Sequence, residues 1–357
     1  MEGYTFNSKT AFVFSGGASL GAVEVGALRA IVEHNIQADM VLGTSVGSLN
    51  GAMYAYNPTL EGVNAIERIW RSIKMRDVFP PSPVTPVVNL TTSGLHLVSP
   101  KNLRKLITEH LPFTRIEETK IPLYIISTDI KCGEEVVFNK GLAIEALMSS
   151  AGIPGVFPPL HMNDRLLVDG GIINNAPIST AVRLGAGRIV VFPIGVPSSD
   201  QEPKNVMEIL IRSFIFLLNR QLATDIQLYK DKVELIIIPP PYCVNVGPHD
   251  FSKSEFLIDE AYNSAKTWLK DEGYASNPNR SYPCDVHTLP ITFIEAVTPN
   301  PEKKATSRIK ENLSQTSKSL IKSFDEKTDK IYSSIVKKSE ELKDKVFKSK
   351  TDEDSNI

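Results

Sequence analysis

Short apolar runs alternate with longer amphipathic stretches over the first three quarters of the chain. Ala11-Phe12-Val13-Phe14, Leu123 to Thr128, Arg188 to Ile194 and Val233 to Ile238 are rich in β-branched and aromatic residues and have the length of buried strands. Arg165 to Val168 reads as a further strand, and Glu135 to Phe138 as the hairpin partner of the run from Leu123. Helical segments separate them: Ala22 to Glu33, Glu61 to Lys74, Leu142 to Ser150, Pro177 to Leu184, Val206 to Tyr229 and Ser252 to Lys270. Ser99-Pro100 starts another, with a capping hydroxyl followed by a proline at the first helical position. Strands that alternate with helices predict an α/β fold, a three-layer α/β/α domain around a mainly parallel sheet.

Three stretches depart from this rhythm. Asp77 to Val98 carries Pro80, Pro81, Pro83 and Pro86 and reads as a loop, of a length more often used for a lid or flap than for a plain linker. With Phe214 to Leu218 it is a candidate lining for an acyl-chain groove, although core packing is the favoured reading of that helix. Met207 to Leu218 is apolar but contains Glu208 and Arg212, and falls short of the ~20 residues a membrane span needs. It reads as buried helix in preference to membrane contact.

The third is the tail. Ile309, Leu320, Ile331 and Leu342 recur every 11 residues, and so do Leu313, Phe324, Ile335 and Val346. That period lays one narrow apolar stripe along a helix. Residues 303–350 hold 14 Lys/Arg against 7 Asp/Glu, although the whole chain carries a formal charge of only -2. Three readings stay open: a weakly helical solvated tail, a helix that forms on an anionic lipid surface, or one strand of a right-handed coil. The expected organisation is a domain over residues 8–275, an irregular linker over 276–302 and the basic tail over 303–357.

The near-neutral balance argues against a nucleic-acid binder. Cys132, Cys243 and Cys284 are too few and too scattered for a disulfide framework or a metal site. No cofactor or metal is expected. The N-terminus shows no secretory pattern, so the expected location is cytoplasmic, with peripheral membrane contact through the tail as one of its readings. Oligomeric state is not legible.

Candidate chemistry begins at Met40 to Gly51. Gly43-Thr44-Ser45-Val46-Gly47 has the G-x-S-x-G form of a nucleophile elbow, a strained strand-to-helix turn that exposes a serine hydroxyl. The glycines fit because a Cβ there crowds the adjoining strand and helix. The helix dipole favours an alkoxide at Ser45. Ser15-Gly16-Gly17-Ala18-Ser19-Leu20-Gly21 follows the first strand and opens a helix, a turn whose N–H groups suit either a phosphate or an oxyanion. The dinucleotide alternative, with Asp39 as ribose acid, fits poorly because Ala18 replaces the middle glycine. Asp169-Gly170-Gly171 ends a strand, which places an acid above a sheet or makes a simple turn.

Four segments in this order resemble the patatin-like phospholipase family, bacterial-type members above all: Ser15 to Gly21, Gly43 to Gly47, Ser149-Ser150-Ala151-Gly152-Ile153-Pro154-Gly155-Val156-Phe157-Pro158-Pro159, and Asp169 to Gly171. The resemblance extends over roughly residues 10–270 and includes Pro248-His249-Asp250-Phe251. It implies a serine lipid acyl hydrolase of phospholipase A or esterase type, acting on a lipid or phospholipid through an acyl-serine. It further implies a Ser–Asp dyad with Ser45 as nucleophile and Asp169 as base, and an oxyanion hole from the N–H groups of Gly16, Gly17 and Ala18. Many members carry a third glycine at the position of Ala18 and a Lys or Arg at that of Leu20. Two alternatives stay beside this reading: a Ser–His–Asp esterase using His249 or His287, and a lipid-binding protein without turnover.

Overall fold

The computed structural model describes residues 9–80, 96–195, 202–203, 206–241 and 246–270. All lie in one compact unit, residues 1–290. The repeat-bearing tail, His287, Cys243, Cys284 and most of the proline-rich loop fall outside the described residues.

β1 (Thr10–Phe14) sits at the middle of an eight-stranded sheet. Its side chains alternate between two cores: Phe12 and Phe14 pack on one face, Ala11 and Val13 on the other, and all four are fully buried. Burial on both faces is what a parallel sheet between helical layers requires. β2 (Met40–Thr44) and β7 (Arg188–Phe192) flank β1 in parallel, and β3 (Leu123–Asp129) and β8 (Glu234–Ile237) extend the parallel set. β4 (Glu134–Phe138) folds back on β3 as the expected hairpin. β5 (Leu160–Met162) and β6 (Arg165–Asp169) form a second antiparallel hairpin, and β6 pairs with β3.

Helices cover both faces. α1 (Ala22–Glu33), α2 (Val46–Tyr56), α3 (Leu60–Ser72), α5 (Lys101–His110), α6 (Ala143–Ser150) and α10 (Ser254–Trp268) pack on the Phe12 face. α8 (Ile178–Arg183) and the second half of α9 (Val206–Tyr229) cover the Ala11 face. The pattern of α3 explains its docking: Val63, Ile66 and Trp70 form one buried stripe, and Thr59 caps its start by accepting the Gly62 N–H at 3.2 Å. The short α4 (Met75–Val78) and α7 (Gly171–Asn174) complete the set. Asp77 therefore lies in a helical turn, inside the stretch expected to be loop.

One expectation is overturned. Met207 to Leu218 is not a buried helix: Ile209, Leu210, Phe216 and Leu217 are 50–67% exposed, and no residue from 208 to 220 is buried. The second half of α9 does dock, through Leu222, Ala223 and Ile226. Among the described residues, no helix is long and apolar enough to cross a membrane.

Candidate active site

Two strands bring the predicted residues together from opposite directions. β4 occupies one edge of β3 from Ile125 to Asp129, so β2 and β6 share the other edge. There Thr44 pairs with Ile126, and Asp169 pairs with Ser127. β2 runs up to that point and β6 runs down to it. Ser45 thus emerges at the tip of β6, which sets its side chain beside the Asp169 carboxylate.

The turn at Ser45 is strained as an elbow requires. Ser45 has φ 54° and ψ -128° and precedes α2 without a side-chain cap bond to it. A positive φ at a serine costs on the order of 1–3 kcal/mol and persists only where the surroundings impose it. Ser150 supplies part of that hold. Its Oγ accepts the Ser45 N–H at 2.9 Å and donates to the Ile126 carbonyl at 2.5 Å. The glycines are sterically required. A Cβ on Gly43 would lie 2.6 Å from Gly47 O and Ser48 Cα, and one on Gly47 would lie 2.6 Å from the carbonyl of Phe14.

Asp169 is 5% exposed and Ser45 6% exposed. Burial raises the carboxyl of Asp169 to about 6, although the neighbouring Ser45 side chain and the Gly171 N–H pull the other way. The Gly171 N–H donates to its Oδ1 at 2.8 Å. No histidine among the described residues shares these bonds.

The glycine-rich turn lies against the elbow, since a Cβ on Gly16 would come within 3.0 Å of Ser45 Cβ. One of the three expected donors already has an acceptor within the protein. The Gly16 N–H is already engaged by Asn175, with Oδ1 at 3.1 Å and the backbone carbonyl at 3.2 Å. Asn175 Nδ2 in turn donates to Gly16 O at 3.2 Å. The N–H groups of Gly17 and Ala18 have no acceptor among the described residues. Ala18 holds φ 52°, a left-handed angle that explains why a glycine suits this position. Ser19 is pinned by its N–H to Pro248 O at 3.0 Å and its hydroxyl to Gly247 O at 3.1 Å.

Asp39 stands at the other end of the sheet, where its carboxylate accepts the Thr10 N–H at 2.7 Å. It is remote from the glycine turn, which removes the ribose role. Residues that the sequence reading did not single out complete the frame. Ser150 lies within the Ser149 to Pro159 motif. Asn174 and Asn175 follow Asp169-Gly-Gly closely, and the Asn174 carbonyl accepts the Thr44 hydroxyl at 2.8 Å. Their signal was position beside a motif; their partners are distant in sequence. Among the described residues, no group of three or more His, Cys, Asp or Glu is placed to hold a metal ion.

A strained serine between a parallel strand and a helix, set beside a buried carboxylate, has the form of a nucleophile elbow. Residues 12–182 match the model of the family described as patatin-like phospholipase, and this part of the chain is a patatin-like phospholipase domain. Neuropathy target esterase sws of Drosophila melanogaster is 32% identical over 185 residues, which are 51% of this chain and 13% of that protein. Lysophospholipase NTE1 of Mycosarcoma maydis is 31% identical over 216 residues, 58% of this chain and 11% of that protein. The match thus spans only a small part of these relatives. Among solved structures, VipD from Legionella pneumophila aligns over 73% of this chain and 66% of its own, with a TM-score of 0.38 and 14% identity.

Proposed function

We propose that this domain is a serine lipid acyl hydrolase working through Ser45 and Asp169. The observation that carries the reading is the juxtaposition of the strained Ser45 with the buried Asp169 carboxylate where β2 and β6 meet on β3. The relatives named esterase and lysophospholipase support an acyl ester as the substrate.

In this mechanism Ser45 Oγ attacks the ester carbonyl carbon while its proton passes to Asp169. A free aspartate, with a pKa near ~3.9, is a weak base at neutrality; at about 6 Asp169 comes closer to the ideal while staying ionised. Direct contact with the hydroxyl supplies the positioning that histidine relays provide elsewhere. The tetrahedral oxyanion is held by the N–H groups of Gly17 and Ala18. Gly16 serves as the fixed post of this cradle instead of a donor, because Asn175 occupies its N–H. Collapse breaks the bond to the leaving alcohol, which takes the proton from Asp169. Water, deprotonated by the same carboxylate, then attacks the acyl-serine; the acyl carbon–Oγ bond breaks, Ser45 Oγ takes that proton back from Asp169, and the fatty acid leaves.

A fluorophosphonate probe tests this. The full chain is expected to be labelled at Ser45, and S45A to remain unlabelled. Absence of label on the folded wild type would favour a lipid-binding protein without turnover.

A further inference from the structure

The first half of α9 has no place in the core. From residue 208 to 220 nothing is buried, and Ile209, Leu210, Phe214, Phe216 and Leu217 are exposed, the last at 67%. These five fall on one side of the helix, a sector wider than 100°. Beyond Gln221 the outward side carries the polar Thr224 and Gln227 beside one exposed leucine, Leu228, and the inward side docks through Leu222, Ala223 and Ile226. The helix is therefore an apolar arm joined to a conventionally packed base.

We propose that this arm lies in the surface of a lipid assembly and sets the Ser45 site against it; the proposal rests on the acyl-hydrolase reading above. Thirteen helical residues span roughly 20 Å at 1.5 Å each, too short for the ~30 Å of a bilayer core, so the arm lies in the interface instead of crossing it. Its location suits that task. α9 follows β7 in a parallel crossover, so its start stands at the edge where β1 and β2 end, the edge that carries the glycine turn and Ser45. Its charge suits phosphate head groups, with Arg212 and Arg220 against Glu208.

A short hydrogen-bonded path joins arm and site. Gln221, at the junction, accepts the Asn175 N–H at 3.1 Å and donates to the Ile173 carbonyl. Asn175 is the residue that clamps Gly16. Seating the arm thereby bears on the base of the proposed oxyanion cradle.

The test uses full-length chain with S45A, so that vesicles stay intact, and flotation with phosphatidylcholine/phosphatidylglycerol vesicles. S45A is expected to float, and S45A carrying L210Q/F216Q/L217Q to stay at the bottom. In the Ser45 background, the same triple change is expected to leave hydrolysis of a monomeric short-chain ester within twofold and to lower phospholipid release from vesicles at least tenfold. Circular dichroism confirms that the variant is folded. Equal flotation of both proteins, or no flotation of S45A, overturns the proposal. So does sedimentation showing that the triple change splits a dimer, which would assign the face to self-association. If wild type hydrolyses no ester yet flotation depends on the arm, the hydrolase reading fails and the lipid surface stands.

Discussion

Ser45 and Asp169, 124 positions apart, meet because consecutive residues of β3 bind the strands that carry them. Ile126 pairs with Thr44 and Ser127 with Asp169, on one edge of the same strand. A shift of one residue in the β3–β6 register would turn the carboxylate to the opposite face of the sheet. The contact is thus a property of sheet register.

The pH dependence follows from the environment of Asp169. The proposed base must be ionised, and burial raises its carboxyl to about 6. Hydrolysis of a soluble ester is expected to rise with pH through an acid limb centred near that value. A limb near 4 would contradict the assignment.

Stability carries the opposite sign. Between about 4 and 6 the folded chain holds the Asp169 proton more tightly than the unfolded chain does, so stability falls as pH rises through that window. At ~1.4 kcal/mol per unit the ionised carboxylate costs about 2–3 kcal/mol at neutral pH. D169N is expected to abolish hydrolysis and yet to raise stability at pH 7, with the gain vanishing below pH 4. Urea denaturation at the two pH values measures it.

S150A removes the acceptor of the Ser45 N–H and leaves that buried donor unpaired. The expected loss is about 1–3 kcal/mol, with a kcat at least tenfold lower as the elbow relaxes. Denaturation and ester kinetics on the same sample separate the two effects. Unchanged kcat would remove Ser150 from the elbow's support.

Glycine substitutions distinguish contact from conformation. G47A drives a Cβ into the backbone of Phe14 and is expected to cost about 3 kcal/mol or more. G133A sits at φ 72° with nothing within 4 Å and is expected to cost only ~1–2 kcal/mol. Thermal denaturation of the pair checks the ranking.

Ala18 offers the reverse change. At φ 52° it bears a left-handed backbone that glycine adopts freely. A18G is expected to stabilise the chain by about 1 kcal/mol while retaining the N–H and the activity. A drop in melting temperature would show that the angle is not strained.

Most of the fold was legible because burial on two faces leaves a plain record. β1 is apolar at every position from Ala11 to Phe14, and the helical patterns over Ala22 to Glu33 and Val206 to Tyr229 coincide with α1 and α9. The Met207 to Leu218 run misled for a physical reason. A helix apolar over a broad sector looks alike whether protein or lipid is to cover it, and only its projection from the body separates the cases. Asn175 was equally hidden, since an asparagine in a turn has no signature until its amide is seen against Gly16.

The chain by itself determined the local pieces: an elbow that demands glycine at 43 and 47, a glycine-rich turn at a helix start, and the succession of strands and helices that forces a parallel sheet between two layers. These depend on backbone sterics and periodicity, which neighbouring residues encode. Tertiary structure decided which groups are paired and which are left available. It set Asp169 beside Ser45, paired the Gly16 N–H with Asn175 and left half of α9 uncovered, because each outcome depends on register and packing between segments that no local pattern specifies.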